Sequence, residues 1–247
     1  MIDPAAPSAG SLSDWLRWLW YRFGYFLTAV FLLFGYGLRI FGKQNVPQRG
    51  GLLIIANHQS YLDPPMVGLA MWRPIHYVAR RTLFRSRIFA WLIDSLGAFP
   101  IDQDSSGADG IKIALRLLKA GKAVLVFPEG ARTPNGRIQA LKPGVVAILR
   151  RAKTPILPVG VAGAFELWPI QRRAPVLAPL ILPDRGRVAV VVGKPIDVTP
   201  LLQLPPQEIM EILRQELQKV HAQAETVRYK AKSRITCDAT STRQPRC

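Results

Sequence analysis

Cysteine is almost absent from this chain, and the two that occur, Cys237 and Cys247, both fall in the C-terminal tail. Neither lies in a core-like segment, so a disulfide framework is excluded and a reducing compartment is expected. Histidine is scarce as well, at three residues, and no zinc-ligand spacing is present. No Gly-x-Ser-x-Gly turn exists to present a serine nucleophile at a strand-to-helix corner. Long polar tracts and internal repeats are missing too, which argues against a solenoid or a largely disordered chain. Acidic residues number only 16 against 33 Lys+Arg, leaving a formal charge of +17. Such an excess attracts polyanions, of which anionic lipid headgroups and nucleic acid are the usual two. No helix-turn-helix pattern and no basic-aromatic RNA-binding motif occurs, so nucleic acid is not expected as a partner.

What the chain does have is apolar residues, 49% of 247. That suffices for one sizeable α/β domain with a short appendage. Mean hydropathy is +0.13, and the excess lies near the N-terminus. Residues 1–12 are small, Pro-rich and expected to be disordered. Over residues 13–42 the character changes, and between Arg22 and Arg39 no residue is charged. This stretch falls somewhat short of the ~20 residues of a straight spanning helix. Trp15, Trp18, Trp20, Tyr21, Tyr25 and Tyr36, with Arg17, Arg22 and Arg39, give it the flanks of a segment at a membrane interface. A membrane-anchoring helical segment is expected there, inserted in one leaflet or making one short span. The alternative is a helix hairpin buried in a soluble core. Positive charge after the segment places the following domain on the cytoplasmic side of the membrane. Between Asp63 and Asp94 the charged side chains are Arg73, Arg80, Arg81, Arg85 and Arg87, with no acid among them. That pattern suits a basic face pressed on anionic lipid.

From residue 43 to 232 strands and helices alternate. Leu52–Ala56 is a short apolar run suited to a buried strand. Asp63-Pro64-Pro65 marks a helix start, with the helix running to about Trp72. Further strands are expected at Ile75–Ala79, Ala98–Ile101, Ala123–Phe127, Ile156–Ala162 and Arg187–Val192. Helices are expected over Phe84–Leu96, from Ile111 to Gly121, over Pro143–Lys153 and over Glu208–Tyr229, with a disordered tail over residues 233–247. Strands separated by helices imply crossover connections and a mainly parallel sheet flanked by helices.

Two loops carry candidate chemistry. Asn57-His58-Gln59-Ser60-Tyr61-Leu62-Asp63 follows a buried strand, where catalytic groups of α/β folds tend to sit. On a continuous helix the five-residue spacing would set His58 and Asp63 about 140° apart. Asp63 precedes Pro64, however, so the segment is expected to turn, which can fold the carboxylate back onto the imidazole. A carboxylate on one ring nitrogen fixes the tautomer and leaves the other as a base. The plainer alternative is a capping aspartate beside a loop histidine. The second loop is Phe127-Pro128-Glu129-Gly130-Ala131-Arg132-Thr133. Gly130 permits unusual backbone or close approach of a ligand, and Arg132 offers a planar fork suited to phosphate oxygens.

Taken together, these loops resemble the motif blocks of the glycerolipid acyltransferase family, in particular its 1-acylglycerol-3-phosphate acyltransferases. Asn57-His58-x4-Asp63 is similar to that family's first block and Phe127–Arg132 to its third. Gly97–Asp102 and Leu157-Pro158-Val159 fall where the second and fourth blocks stand, and Lys142-Pro143-Gly144 fits the stretch between the last two. Gln103 stands where the family usually has arginine, and Ala131 where it has threonine or serine. The resemblance implies that His58 acts as general base on an acceptor hydroxyl and that Asp63 orients it. It implies substrate binding by Glu129, Gly130 and Arg132, with Arg80 added because Gln103 replaces the second-block arginine. The implied acceptor is a lysophospholipid at a membrane, and the implied donor is acyl-CoA or acyl-carrier protein as co-substrate. No cofactor and no metal are implied. A hydrolase, or a silent lipid-binding protein of the same fold, are the rival readings. Oligomeric state is not legible.

Overall fold

The computed structural model describes residues 12–80, 98–101, 108–172, 174–176 and 188–240. The helix expected over Phe84–Leu96, and Arg81, Arg85, Arg87 and Gln103, lie outside these residues.

The chain opens with helix α1, Leu12–Val30, continued by a π-helical turn over Phe31–Gly35. Helical structure was expected through residue 42. Instead Gly37 takes φ +60° and the Leu38 N–H returns to the Leu32 carbonyl at 3.0 Å, which ends the helix. Arg39–Phe41 then form strand β1. The remaining elements are β2 Leu52–Ala56, α2 Asp63–Ala70, β3 Ile75–Arg80 and β4 Ala98–Ile101. They continue with α3 Ala108–Lys119, β5 Ala123–Val126, α4 Gly144–Ala152 and β6 Ile156–Ala162. A short α5, Ala164–Leu167, precedes β7 Ala189–Val192 and the long α6, Pro206–Thr240. Several boundaries shift by one to three residues, and the two terminal ones differ in kind. Leu12, assigned to a disordered terminus, opens α1, and α6 continues past Ser233 because residues 230–240 contain no proline or glycine to stop it.

The strands form one sheet in the order β1-β7-β6-β2-β5-β3-β4. Every ladder in it is parallel except β6 with β7, so the mainly parallel sheet is present. All five residues of β2 are buried, because helices cover both faces and the two-residue period of a strand sends alternate side chains to each. Leu52, Ile54 and Ala56 pack with α2 and the end of α1, through Met66, Val67, Leu32 and Tyr36. Leu53 and Ile55 pack on the other face with α3, α4 and α6, through Leu118, Val146, Leu149, Leu213 and Leu217.

Topology places the site. After β2 the chain passes into α2 on the first face and on to β3. After β5 it passes into α4 on the second face and back to β6. Adjacent strands whose exits go to opposite faces leave a crevice between their C-terminal ends, where ligands of open α/β sheets bind.

Backbone of α6 lies directly on β6. A Cβ at Gly160 would run into the Val220 carbonyl and the His221 amide. Gly160→Ala is therefore expected to cost about 1–3 kcal/mol of stability. A thermal melt with an unchanged midpoint would show that α6 can step away from the sheet.

Candidate active site

The exit of β2 is pinned first. The Asn57 side chain is buried and brackets one residue of β6, donating to the Val161 carbonyl at 2.9 Å and accepting from its N–H at 2.8 Å. A side-chain amide offers a donor and an acceptor side by side, as this bracket requires. The same carbonyl also accepts from His221 Nδ1 on α6 at 3.0 Å.

Next comes His58. Strands β2 and β5 pair Ile55 with Val126, and three residues further along each strand His58 meets Glu129. The His58 N–H donates to Glu129 Oε1 at 2.8 Å, and its carbonyl accepts from the Thr133 N–H at 2.8 Å. Its imidazole stacks on Phe127, with centroids 3.9 Å apart and planes 15° apart. Backbone and ring are both held, which sets the rotamer before any ligand arrives.

The carboxylate then folds back onto this ring. Asp63 opens α2 and is fully buried, and its Oδ2 lies 2.8 Å from His58 Nδ1. The same oxygen accepts from the Gln59 N–H at 2.6 Å and the Ser60 N–H at 2.7 Å. The turn expected before Pro64 is therefore present. A carboxylate oxygen on Nδ1 assigns the proton to that nitrogen, so Nε2 keeps its lone pair. The His58 side chain is 18% exposed, enough for that lone pair to meet a hydroxyl.

The second loop supplies donors and a brace. Gly130 has φ +74°, and its N–H closes a turn on the Phe127 carbonyl at 3.0 Å. A side chain there would strike the stem of Lys142. Both Glu129 oxygens are taken by backbone, Oε1 by His58 and Oε2 by the Gln139 N–H at 2.7 Å. The buried Glu129 thus ties the two loops together. Arg132 lays its guanidinium on the Tyr61 ring, 3.4 Å from the centroid, and its Nη1 is buried without a hydrogen-bond partner among the described residues.

His58, Asp63, Glu129, Gly130 and Arg132 are thus gathered beyond the C-terminal ends of the central strands β2 and β5. Arg80 ends β3, one strand beyond β5, where it pairs with Ile101, and its side chain lies outside the description. Arg73 leaves the basic face expected for it. Its guanidinium donates to the carbonyls of Pro47 and Gly121, at 3.2 and 2.7 Å, and so joins two loops. Among the described residues no group of three or more His, Cys, Asp or Glu side chains is placed to hold a metal ion. Sequence reasoning assigned no role to Asn57, Phe127, Tyr61 or Gln139. Asn57 and Phe127 carried a signal as the first residues of the two resembling blocks, and Asn57 also as a polar residue directly after an unbroken apolar strand.

The sequence model of the acyltransferase family matches residues 37–162, half of the chain, and spans both loops. The chain belongs to the acyltransferase family. This acyltransferase is 27% identical over 201 residues to the 1-acyl-sn-glycerol-3-phosphate acyltransferase of Bacillus subtilis, covering 80% of this chain and 92% of that one. It is 31% identical over 155 residues to the enzyme of that name from Streptococcus pneumoniae, covering 62% of this chain and 52% of the relative. Among solved structures, the 1-acyl-sn-glycerophosphate acyltransferase of Thermotoga maritima shares its fold. The TM-score is 0.64 at 23% identity, over 85% of this chain and 81% of that one.

Burial pushes the Glu129 carboxyl up to about 7 from 4.5, and nearby Asp63 adds to the rise, while the Gln139 and His58 N–H groups offset it in part. Folded Glu129 binds its proton more tightly than the unfolded chain does. Its contribution to stability is therefore largest below about pH 4.5 and is lost as pH rises through about 7. Glu129→Gln cannot ionise, so over that window the parent's melting temperature is expected to fall relative to the variant's. Parallel curves for the two proteins would show that Glu129 does not titrate there.

Proposed function

We propose that this acyltransferase moves a fatty acyl group to the sn-2 hydroxyl of 1-acylglycerol-3-phosphate, giving phosphatidate. The donor in this reading is acyl-CoA or acyl-carrier protein, and the enzyme works at the cytoplasmic face of a membrane. The observation that carries it is the His58–Asp63 pair at 2.8 Å, set in the same crevice as an arginine with an unused buried donor. The names of the Bacillus and Streptococcus relatives support the acceptor.

In this mechanism His58 Nε2 takes the proton of the acceptor hydroxyl, and Asp63 steadies the imidazolium through Nδ1–H. The hydroxyl oxygen forms a bond to the thioester carbonyl carbon, giving a tetrahedral oxyanion. Its collapse breaks the C–S bond, and the departing sulfur takes the proton back from Nε2. No group on the enzyme becomes acylated, so both substrates occupy the crevice together. Arg132 would hold the acceptor's phosphate, as its planar fork suits. Glu129 and Gly130 would shape that end of the crevice through the brace and the turn.

Membrane association is supported by α1 and its π turn. Trp15, Leu16, Leu19, Phe23, Phe26 and Phe34 are all exposed, Phe34 at 76%. So many large apolar side chains on one element are more than scattered surface hydrophobics. No helix among the described residues is long and apolar enough to cross a membrane. In this reading the exposed apolar side chains of α1 lie in the membrane interface. Leu27, Thr28, Phe31, Leu32, Leu62 and Pro65 also line an open, mostly apolar recess of about 260 Å³ between the end of α1 and the start of α2, suited to part of an acyl chain. A different lysolipid acceptor is the second reading, favoured by Gln103 in place of the family's arginine.

A panel of lysolipids assayed with labelled acyl-CoA and acyl-carrier protein tests both. Label is expected in phosphatidate, and His58→Ala is expected to lower the rate by ~10²-fold or more. An unchanged rate in His58→Ala would remove the general base. Label appearing as free fatty acid without an acceptor would replace transfer by hydrolysis.

A further inference from the structure

Tyr61 sits inside the first catalytic loop but turns its ring outward, at 39% exposure. One contact of that ring is the Arg132 guanidinium at 3.4 Å. Another is Trp168, with centroids 4.9 Å apart. Trp168 is itself fixed, since Ser60 Oγ donates to its carbonyl at 2.9 Å and its Nε1–H donates to the Arg172 carbonyl at 3.2 Å. A chain of contacts therefore runs from Trp168, whose ring is tilted 46° to that of Tyr61, through Tyr61 to Arg132, and it is anchored to the residue directly before Tyr61.

With its Cζ only 3.4 Å from the Tyr61 centroid, a steep tilt would drive a guanidinium nitrogen into the ring, so the group packs near-parallel and its N–H donors are directed around the ring edge. No acid neutralises Arg132 among the described residues, and the nearby Glu129 is occupied by backbone. A buried guanidinium nitrogen without a partner carries a desolvation cost that an anionic ligand relieves. We propose that Tyr61 is a positioning residue for the acceptor, its ring presenting the Arg132 fork edge-on so that phosphate-bearing lysolipids are selected over phosphate-free ones. The proposal rests on the reading of Arg132 as the phosphate ligand. Tyr61 lies two residues before Asp63, so one short loop sets both the phosphate donor and the orientation of the base.

The test is equilibrium binding of 1-acylglycerol-3-phosphate and of 1-acylglycerol to the full chain in a His58→Ala background, where no turnover intervenes. Tyr61→Ala is expected to weaken binding of the phosphate lipid about tenfold and to leave 1-acylglycerol unchanged. Tyr61→Phe is expected to bind as the parent does, since no described residue bonds the Tyr61 hydroxyl. In an Arg132→Ala background Tyr61→Ala is expected to add nothing further. With His58 intact, Tyr61→Ala is expected to raise the acceptor KM and leave kcat near the parent value. Equal losses for both lipids would reveal a merely structural role and overturn the proposal, as would unchanged binding or a parent that does not bind the phosphate lipid. Failure of the enzyme to acylate 1-acylglycerol-3-phosphate in the lysolipid panel is a separate result, and bears on the function rather than on Tyr61.

Discussion

One oxygen atom organises this site. Asp63 Oδ2 receives the His58 ring and two successive backbone N–H groups, all within 2.8 Å, and it does so from full burial. Three donors arriving from different directions leave the carboxylate no rotational freedom, and the imidazole inherits that rigidity. The loop wraps around its own aspartate much as backbone wraps around a bound anion. Little of this geometry depends on a substrate being present.

Around that atom the sheet supplies alignment. Neighbouring parallel strands β2 and β5 end at matched heights, so His58 and Glu129 meet without a long excursion of either loop. Asn57 extends the grip to β6 by treating Val161 as a strand partner would. Because α2 and α4 lie on opposite faces, the crevice opens toward both layers. In the proposed reaction a thioester donor and a lipid acceptor would then approach from different sides, as direct transfer between them requires.

The strand cores were legible because each is a short apolar run bounded by turn residues, and β2, β4 and β6 have the expected limits. Strand β1 was hidden inside a hydrophobic segment whose composition suits a helix equally well, and only Gly37 marks the change. A turn before Pro64 was expected from a local steric rule and is present, but Asp63 itself opens α2 and Leu62 is already in the right-handed helical region. The dual bond of Asn57, the stack under Arg132 and the brace from Gln139 were not legible. Each joins residues far apart in the chain, and sequence carries no distance across a fold. Glu129 shows the same limit from the other side. Its residue type and place suggested a group facing substrate, whereas its environment has both oxygens bound to backbone.

The two N–H groups that hold Asp63 belong to Gln59 and Ser60 as backbone, not as side chains. Ser60 Oγ braces the turn by accepting from the Leu62 N–H at 3.2 Å, but any non-proline residue can donate an N–H to Asp63, and as such donors the intervening residues are interchangeable. Their number is not. One residue more or fewer would swing both N–H groups off Oδ2 and carry the carboxylate away from the ring. Within this loop, length is the constrained quantity and composition is left to other duties, among them the contact of Tyr61 with Arg132 and Trp168.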